Sequence, residues 1–252
     1  EEGLFEQFPM DAVFGMHNWP GMKAGQFAVS PGPAMASSND FTITIHGKGG
    51  HAAQPHTGID PVLVACEMVQ AFQTILTRNK KPIDAGVISV TMIHAGEANN
   101  VIPDACVLKG TVRTFSLEVL DLIESRMAKI AEHVSAAHDA HSDFEFNRNY
   151  PPTVNTAAEA NFARGVMAGI VGADNVLVQE PAMTAEDFSF MLLAKPGAYA
   201  FIGNGDGAHR DMHHGDGPCT LHNASYDFND DLIPLGATCW VELAEQFLKP
   251  AA

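Results

Sequence analysis

The order in which hydrophobic periodicities follow one another between residues 41 and 149 constrains the fold more than any other feature. The pattern predicts strand, helix, strand, strand, helix, strand, beginning with FTITIHG (41–47). The two helices are predicted over residues 60–78 and 116–140, with Asp60 and Ser116 as their N-caps. This order is typical of a ferredoxin-like α+β domain. We therefore expect residues 36–149 to form one.

The segments on either side predict a second domain, of the α/β class, which the ferredoxin-like domain interrupts. MDAVFGMH (10–17) is a short apolar run before the turn-forming NWPG, and this predicts a buried strand that ends at His17. The closing segment LIPLGATCWVELAEQFLK predicts a helix. We expect residues 1–35 and 150–252 to be the two parts of this α/β domain.

Charge and cysteine usage exclude several classes of function. Fourteen Lys and Arg stand against thirty Asp and Glu, which gives a net charge of −16. This charge repels phosphates and anionic membranes, so we expect neither nucleic acid nor a membrane as a main partner. The four cysteines form no C-x-x-C pair, and the first residues lack the pattern of a secretion signal. Both observations favour a cytoplasmic location.

Histidines are concentrated in the glycine-rich segment GAHRDMHHGDGPCTLHNASYDFND (207–230). They are His209, His213, His214 and His222. Neutral imidazole is a common ligand of zinc and related ions, so the cluster suggests a metal site. Exposed loop histidines are the alternative interpretation for the first three. His17 ends a predicted strand, where ligands of α/β sheets bind, and a buried core histidine is its alternative.

Five sequence blocks together resemble a known enzyme family. They are GMHNWPG, GKGGHAAQPH, ANNVIPD followed by GTVRTF, AEDFSFM, and PCTLHNASYDFND. Their order and approximate spacing resemble the hippurate hydrolase and auxin-conjugate amidohydrolase branch of the aminoacylase-like dinuclear metallopeptidases. The resemblance extends over essentially the whole chain. It implies a zinc-peptidase-like α/β catalytic domain with two divalent metal ions, zinc or manganese, and an inserted lid domain that mediates dimerisation.

The resemblance implies roles for three histidines. His17 and His222 match metal ligands of the family. His51 matches the residue that donates a hydrogen bond to the oxyanion formed when water adds to an amide carbonyl. The glycines of GKGG allow the backbone around His51 to bend closely and direct its side chain away from the lid. Whether His51 serves the active site of its own subunit or of a partner is open.

The resemblance also implies contacts with the substrate. Asn100 matches a lid residue that contacts the substrate backbone, and Arg113 matches the residue that binds the free carboxylate, a role that suits a planar guanidinium. A strand-face salt bridge is the alternative for Arg113. His56 is a candidate for the neighbourhood of His51, with a turn histidine as its alternative. Glu186 and Asp187 can line a site or belong to the start of a helix.

One part of the family pattern is absent from the sequence. The family has an upstream Cys-x-His and a Glu-Glu pair, which supply further metal ligands and the general base, and neither is found here. Glu1 and Glu2 directly precede GLFEQFP, which in the family follows well downstream of that pair. We therefore expect this chain to correspond to the C-terminal part of an enzyme, with metal absent or only partly bound, because two histidines alone hold metal weakly.

These observations predict that the parent enzyme hydrolyses N-acyl or N-aroyl amino acids to a carboxylic acid and an amino acid, and that it forms a homodimer through the lid. One alternative is a non-catalytic remnant or pseudoenzyme that dimerises and binds a carboxylate. An alternative within the enzyme class is a dipeptidase or an N-acyl-diaminopimelate deacetylase, because fold kinship does not determine the substrate.

Overall fold

The computed structural model describes residues 3–211 and 213–249 of the chain. The strands are β1 Val13–Pro20, β2 Phe27–Ala28, β3 Gly32–Met35, β4 Ser38–His46, β5 Gly50–His51, β6 Gly86–Ala95, β7 Val101–Ile102, β8 Ala105–Thr114, β9 His141–Tyr150, β10 Thr153–Asn155, β11 Val176–Leu177 and β12 Gly197–Gly205. The α-helices are α1 Leu4–Gln7, α2 Pro61–Thr74, α3 Leu117–Ala137, α4 Ala157–Val171, α5 Ser189–Ala194 and α6 Leu232–Phe247. Shorter helical turns are Pro55–Thr57, Ile75–Asn79 and Ala173–Asn175.

The chain divides into two compact units. Unit 1 contains the residues up to Ala34, the segment Thr153–Ala182 and the residues from Asp187 onward. Unit 2 contains Met35–Pro152 together with Met183–Glu186. Unit 2 therefore interrupts unit 1 along the chain.

Unit 2 has the predicted ferredoxin-like fold. Its elements follow in the order β4, α2, β6, β8, α3, β9, and its sheet has the strand order β6-β8-β4-β9, antiparallel throughout. One face of the sheet packs against both helices. The core of this face includes Phe41, Ile43, Ile45, Met68, Phe72, Leu108, Ile123 and Met127. The alternation of apolar residues in β4 thus places every second side chain in the core, as the sequence predicts.

Both long helices of unit 2 begin at the predicted caps. The Asp60 carboxylate accepts a hydrogen bond of 2.9 Å from the amide of Val62. The Ser116 hydroxyl accepts one of 3.2 Å from the amide of Val119. Each side chain satisfies an amide that has no partner within its helix. The second helix ends at Ala137, slightly before its predicted end.

Unit 1 contains a mixed sheet with the strand order β1-β12-β2-β11. β1 and β12 are parallel, with Val13 opposite Gly197 and His17 opposite Phe201. The core of the unit includes Phe27, Ala160, Ala163, Met167, Ile202, Cys239 and Leu243. These residues come from the sheet and from α4 and α6, which confirms the predicted α/β class.

The buried side chain of Asn155 forms hydrogen bonds with the backbone of two other segments of unit 1. Its Nδ2 donates to the carbonyl oxygens of Ser30 and Tyr199, each at 3.0 Å. Its Oδ1 accepts from the amide of Tyr199 at 2.7 Å. One amide side chain thereby fills the place of a neighbouring strand beside β12.

The segment before α5 differs from the helix start that Thr184 and Asp187 suggest. The helix begins only at Ser189, and no side-chain hydrogen bond caps it. The carbonyl of Thr184 instead accepts a hydrogen bond of 2.9 Å from the amide of Ala36. This long-range pairing occupies the backbone that the predicted cap would have used. Glu186 therefore precedes the helix and does not lie within it.

Hydropathy along the helices gives one further finding. Within residues 3–211 and 213–249, every helix is too short or too polar to cross a lipid bilayer.

Candidate functional site

His17 lies within β1, beside the parallel strand β12, and the strand continues to Pro20, past the end that the sequence predicts. Its Nδ1 donates a hydrogen bond of 2.6 Å to the carbonyl oxygen of Asn18. Because a carbonyl can only accept, the ring proton is on Nδ1 and the lone pair is on Nε2. Metal-bound histidines commonly have this arrangement, in which one nitrogen donates to a carbonyl and the other binds the ion. The structure therefore prepares His17 for coordination through Nε2.

A cleft of about 440 Å³ opens beside His17. Most of its lining is apolar. It is formed by Met16, His17, Asn18, Ile202, Phe228, Leu232, Ile233, Gly236, Ala237 and Trp240. These residues come from β1, β12, α6 and, for Phe228, the loop before α6, so the cleft lies within unit 1.

The described residues between β12 and α6, 206–211 and 213–231, form a long loop, which we call the histidine loop. It leaves the sheet at the carboxyl end of β12, next to the end of β1 that carries His17. Asn18 Nδ2 donates a hydrogen bond to the hydroxyl oxygen of Tyr226 in this loop. Burial raises the pKa of the Tyr226 phenol. The pair joins the neighbour of His17 to the segment that follows His222.

His222 is exposed and has a left-handed backbone with φ of 62°. A residue with a Cβ atom adopts this conformation at a cost in free energy, so the surrounding loop must hold it there. The neighbouring histidines have partners inside the loop. His209 Nε2 donates to the carbonyl of Asp227 at 3.1 Å, and His214 Nε2 lies 3.5 Å from the Asp227 carboxylate. These contacts favour the structural interpretation of His209 and His214.

The described residues do not form a complete set of metal ligands. Over residues 3–211 and 213–249, no group of three or more His, Cys, Asp and Glu side chains is arranged to hold a metal ion. The chemistry of His17 fits a metal ligand, and its cleft does not include His222. The described residues therefore offer individual ligands and not a complete coordination shell.

His51 has the opposite tautomer from His17. Its Nδ1 accepts a hydrogen bond of 3.1 Å from the amide of Ala53. An accepting Nδ1 places the ring proton on Nε2, which leaves Nε2–H free to donate. The side chain is exposed. His51 can therefore donate a hydrogen bond to a carbonyl oxygen or an oxyanion while it is neutral.

The structure brings His51, His56 and Asn100 together in unit 2. β5 pairs with β7, so that His51 lies opposite Val101, and the amide of Ala52 donates to the carbonyl of Asn100 at 3.0 Å. His56 lies on the helical turn that follows the same loop. Two separate sequence motifs thus converge on one exposed edge.

The glycines before His51 are required for close packing and not for positive φ angles. A Cβ atom at Gly47 would lie 2.4 Å from the carbonyl oxygen of Ile59. One at Gly49 would lie 2.9 Å from Asp104 Oδ1, which accepts the Gly49 amide hydrogen bond at 2.8 Å. The loop that carries His51 is therefore anchored at the amino end of β8.

Arg113 lies near the other end of β8. Its Nη1 makes a long contact of 3.5 Å with the carbonyl oxygen of Ser37. Among the described residues, no carboxylate forms an ion pair with the Arg113 guanidinium. The strand-face salt bridge considered as its alternative is thus not formed in this part of the chain. The charge is available to a ligand.

Asn18 and Tyr226 are residues that sequence reasoning did not single out. Both lie inside the blocks GMHNWPG and PCTLHNASYDFND, and their contact joins two blocks that are far apart in sequence. The sequence offered one signal for Asn18, which is a polar residue directly beside the predicted metal ligand His17.

Comparison with known proteins follows from this geometry. Residues 36–139 match the M20 peptidase dimerisation domain. The chain is 36% identical over 250 residues to hippurate hydrolase of Campylobacter jejuni, a match that covers 99% of this chain and 62% of that protein. These matches support the M20 amidohydrolase branch as the family that this chain resembles.

Two further similar proteins extend this result. IAA-amino acid hydrolase ILR1-like 4 of Arabidopsis thaliana is 32% identical over 252 residues, covering 98% of this chain and 56% of that protein. The crystal structure of the YXEP protein of Bacillus subtilis, described as a dinuclear metal-binding M20 peptidase, superposes with a TM-score of 0.79 at 26% identity and covers 99% of this chain and 60% of that one. The resemblance inferred from the sequence motifs is confirmed. This chain spans roughly three fifths of the length of these relatives.

Proposed function

We propose that this chain is part of a metal-dependent amidohydrolase that cleaves N-acyl or N-aroyl amino acids to a carboxylic acid and a free amino acid. One observation carries the proposal: the two motif histidines have opposite tautomers. His17 keeps a lone pair on Nε2, as a metal ligand requires, and His51 keeps a proton on Nε2, as an oxyanion donor requires. Hydrolysis of an amide by a metal enzyme needs both kinds of group.

The chain's own residues take the following roles in this proposal. His17 and His222 each contribute an imidazole ligand, and the other ligands and the general base come from outside the described residues. Two divalent metal ions, zinc or manganese, supply Lewis acidity and activate water when bound. His51 Nε2–H donates to the carbonyl oxygen as negative charge develops on it.

The substrate class follows from the contacts that remain available in unit 2. Arg113 has no ion-pair partner in the described chain, although the sequence has a net charge of −16. A guanidinium in this condition suits a free carboxylate, which it can bind through two parallel hydrogen bonds. Asn100 and His56, beside His51, are positioned for polar contacts with the amide portion. The names of the relatives support N-acyl amino acids, since one acts on hippurate and another on an IAA-amino acid.

We propose a homodimer formed through unit 2. β6 is an edge strand of the sheet and exposes Met92 and Ile93, with relative exposures of 46% and 51%. An exposed apolar edge strand is a favourable surface for pairing with a second chain. The match of residues 36–139 to a dimerisation domain supports the same assignment.

The dimer also bears on which subunit supplies His51. Asp104, which anchors the His51 loop, and Arg113 are separated along β8 by roughly 30 Å of extended backbone. The amide carbonyl and the carboxylate of an N-acyl amino acid are only a few bonds apart. We therefore propose that the His51 and Arg113 that act on one substrate come from different subunits.

The experiment that tests the function combines metal analysis with an assay on N-benzoylglycine, using the protein in which this chain occurs. We expect paired divalent metal ions and release of glycine, and His51→Ala should lower kcat far more than it raises KM. Unchanged turnover in this variant would remove His51 from the mechanism.

A second candidate, a non-catalytic protein that binds a carboxylate, is favoured by the incomplete metal cluster of the described residues. Stoichiometric metal with hydrolysis excludes it.

A substrate panel separates the alternatives within the enzyme class. Preference for dipeptides or for N-acyl-diaminopimelate over N-benzoylglycine would assign the chain to those activities.

We also propose a reducing, cytoplasmic location, which the four free cysteines support.

A further inference from the structure

The Arg210 guanidinium, in the histidine loop, donates only to backbone carbonyls. Its Nη1 donates to the carbonyl oxygens of Gly217 at 2.6 Å and Ser225 at 2.9 Å, and its Nε donates to that of Gly207 at 3.2 Å. Within residues 3–211 and 213–249 it forms no ion pair. Although the chain is acidic, Arg210 therefore binds backbone carbonyls and not a carboxylate.

The two carbonyls bound by Nη1 stand on either side of His222. Gly217 precedes His222 and Ser225 follows it, so one nitrogen atom closes the loop segment that carries the histidine. The left-handed backbone of His222 is unfavourable for a residue with a Cβ atom, and it persists only where the surroundings impose it. The clamp supplies such a constraint at both ends of the strained segment.

Other hydrogen bonds in this segment are mostly local. The amide of Asn223 donates to Thr220 at 3.2 Å, and the amide of Tyr226 donates to Asn223 at 3.0 Å. The Cys219 thiol makes a longer contact with the carbonyl of Asp227, at 3.6 Å. Local turns of this kind shape the backbone, but they do not attach it to the earlier half of the loop. Arg210 attaches residues 217–225 to the earlier half of the loop, and the contacts of His209 and His214 with Asp227 lie just beyond this segment.

We propose that Arg210 is a positioning residue that fixes the conformation of residues 217–225 and thereby presents the His222 imidazole. Its role in metal binding rests on the proposed function, whereas its role in ordering the loop does not. A lysine cannot replace it, because a single ammonium lacks the planar fork that reaches three carbonyls at once. The proposal therefore predicts a loss even in the charge-conserving variant Arg210→Lys.

The chain contains a matched control. Arg164 in α4 also donates to three backbone carbonyls, those of Val29 at 3.3 Å, Val176 at 2.8 Å and Leu177 at 3.1 Å. It belongs to the same unit and lies outside the histidine loop. Arg164→Lys therefore applies the same chemical change to a similar set of acceptors elsewhere.

Hydrogen exchange of the 252-residue chain tests loop ordering directly. In Arg210→Lys we expect amides of residues 219–226 to exchange about tenfold faster, with β12 and α6 unchanged. In Arg164→Lys the same amides should exchange as in the wild type. Equal protection of residues 219–226 in wild type and Arg210→Lys would overturn the proposal. So would faster exchange spread evenly over unit 1, since it would indicate general destabilisation.

A zinc titration of the protein in which this chain occurs tests whether the ordering acts through His222. Calorimetry on the wild type, Arg210→Lys, His222→Ala and the double variant forms a double-mutant cycle. We expect Arg210→Lys to weaken zinc binding about tenfold in the wild type and to have no further effect in His222→Ala. Equal losses in both backgrounds would refute the link from Arg210 to His222. If the wild type binds no zinc, the proposed metal site fails, and the exchange data alone decide the role of Arg210.

Discussion

Mixed dimers provide the sharpest test of how two subunits would share an active site. His51→Ala removes the proposed oxyanion donor, and Arg113→Ala removes the proposed carboxylate contact. The loop that carries His51 is anchored to Asp104, roughly 30 Å of extended strand away from Arg113. If each active site draws its histidine and its arginine from different subunits, one mixed dimer contains one intact site and one doubly defective site.

The expected magnitude follows from this arrangement. Loss of an oxyanion donor lowers kcat by about 10²–10³-fold, so each variant alone should be nearly inactive. Random association of equal amounts gives half mixed dimers, and each mixed dimer has one intact site of two. The mixture should therefore recover roughly one quarter of the wild-type rate. If His51 and Arg113 act within one subunit, every site has one defect and the mixture stays inactive.

The assay is hydrolysis of N-benzoylglycine by enzyme refolded from equimolar mixtures and measured without separating the dimers. A mixture of wild type with the double variant is the matched control. It should have about one quarter of the wild-type rate if the sites are shared between subunits, and about one half if they are not. An inactive first mixture together with a half-active control would refute the reasoning from β8.

Three further predictions concern stability and reactivity. Asn155→Ala removes three hydrogen bonds, two of them to the buried backbone of Tyr199, and should lower the free energy of unfolding by about 3 kcal/mol, measured by tryptophan fluorescence in urea; an unchanged midpoint would contradict this. Gly47→Ala places a methyl group 2.4 Å from a carbonyl oxygen and should destabilise unit 2 by about 1–3 kcal/mol, measured by circular dichroism. Burial raises the pKa of the Cys239 thiol to about 11, so a thiol reagent at pH 8 should label the exposed Cys66 and leave Cys239 unlabelled until the protein unfolds. Early labelling of Cys239 in the native state would show that its side chain is accessible.

Local sequence patterns predicted the framework of unit 2 because the forces behind them act over a few residues. The alternation in FTITIHG places Phe41, Ile43 and Ile45 on one face whatever packs against it, and the caps at Asp60 and Ser116 act on amides within the next turn. The family motifs likewise combined into one assignment, which the relatives confirm.

Long-range pairing explains why the segment before α5 does not follow its local sequence pattern. Thr184 and Asp187 have the local character of a helix start, yet the Thr184 carbonyl binds the amide of Ala36, and α5 begins later. A cap and a long-range partner compete for the same backbone groups. The partner, Ala36, is far from residue 184 in the sequence, so the local pattern around residue 184 does not reveal it.

The amino-acid sequence alone determined the order of elements, the α/β and ferredoxin-like classes, and the residue types available for chemistry. Only the folded backbone decided which nitrogen of His17 and of His51 carries the proton, since the adjacent Asn18 carbonyl and the nearby Ala53 amide favour opposite tautomers. It also placed Arg113 far along β8 from the His51 loop and closed the histidine loop around His222 through Arg210. The physical reason is that a tautomer, a separation and a strained φ angle depend on the hydrogen-bond partners that folding delivers, whereas periodicity depends on the residues themselves.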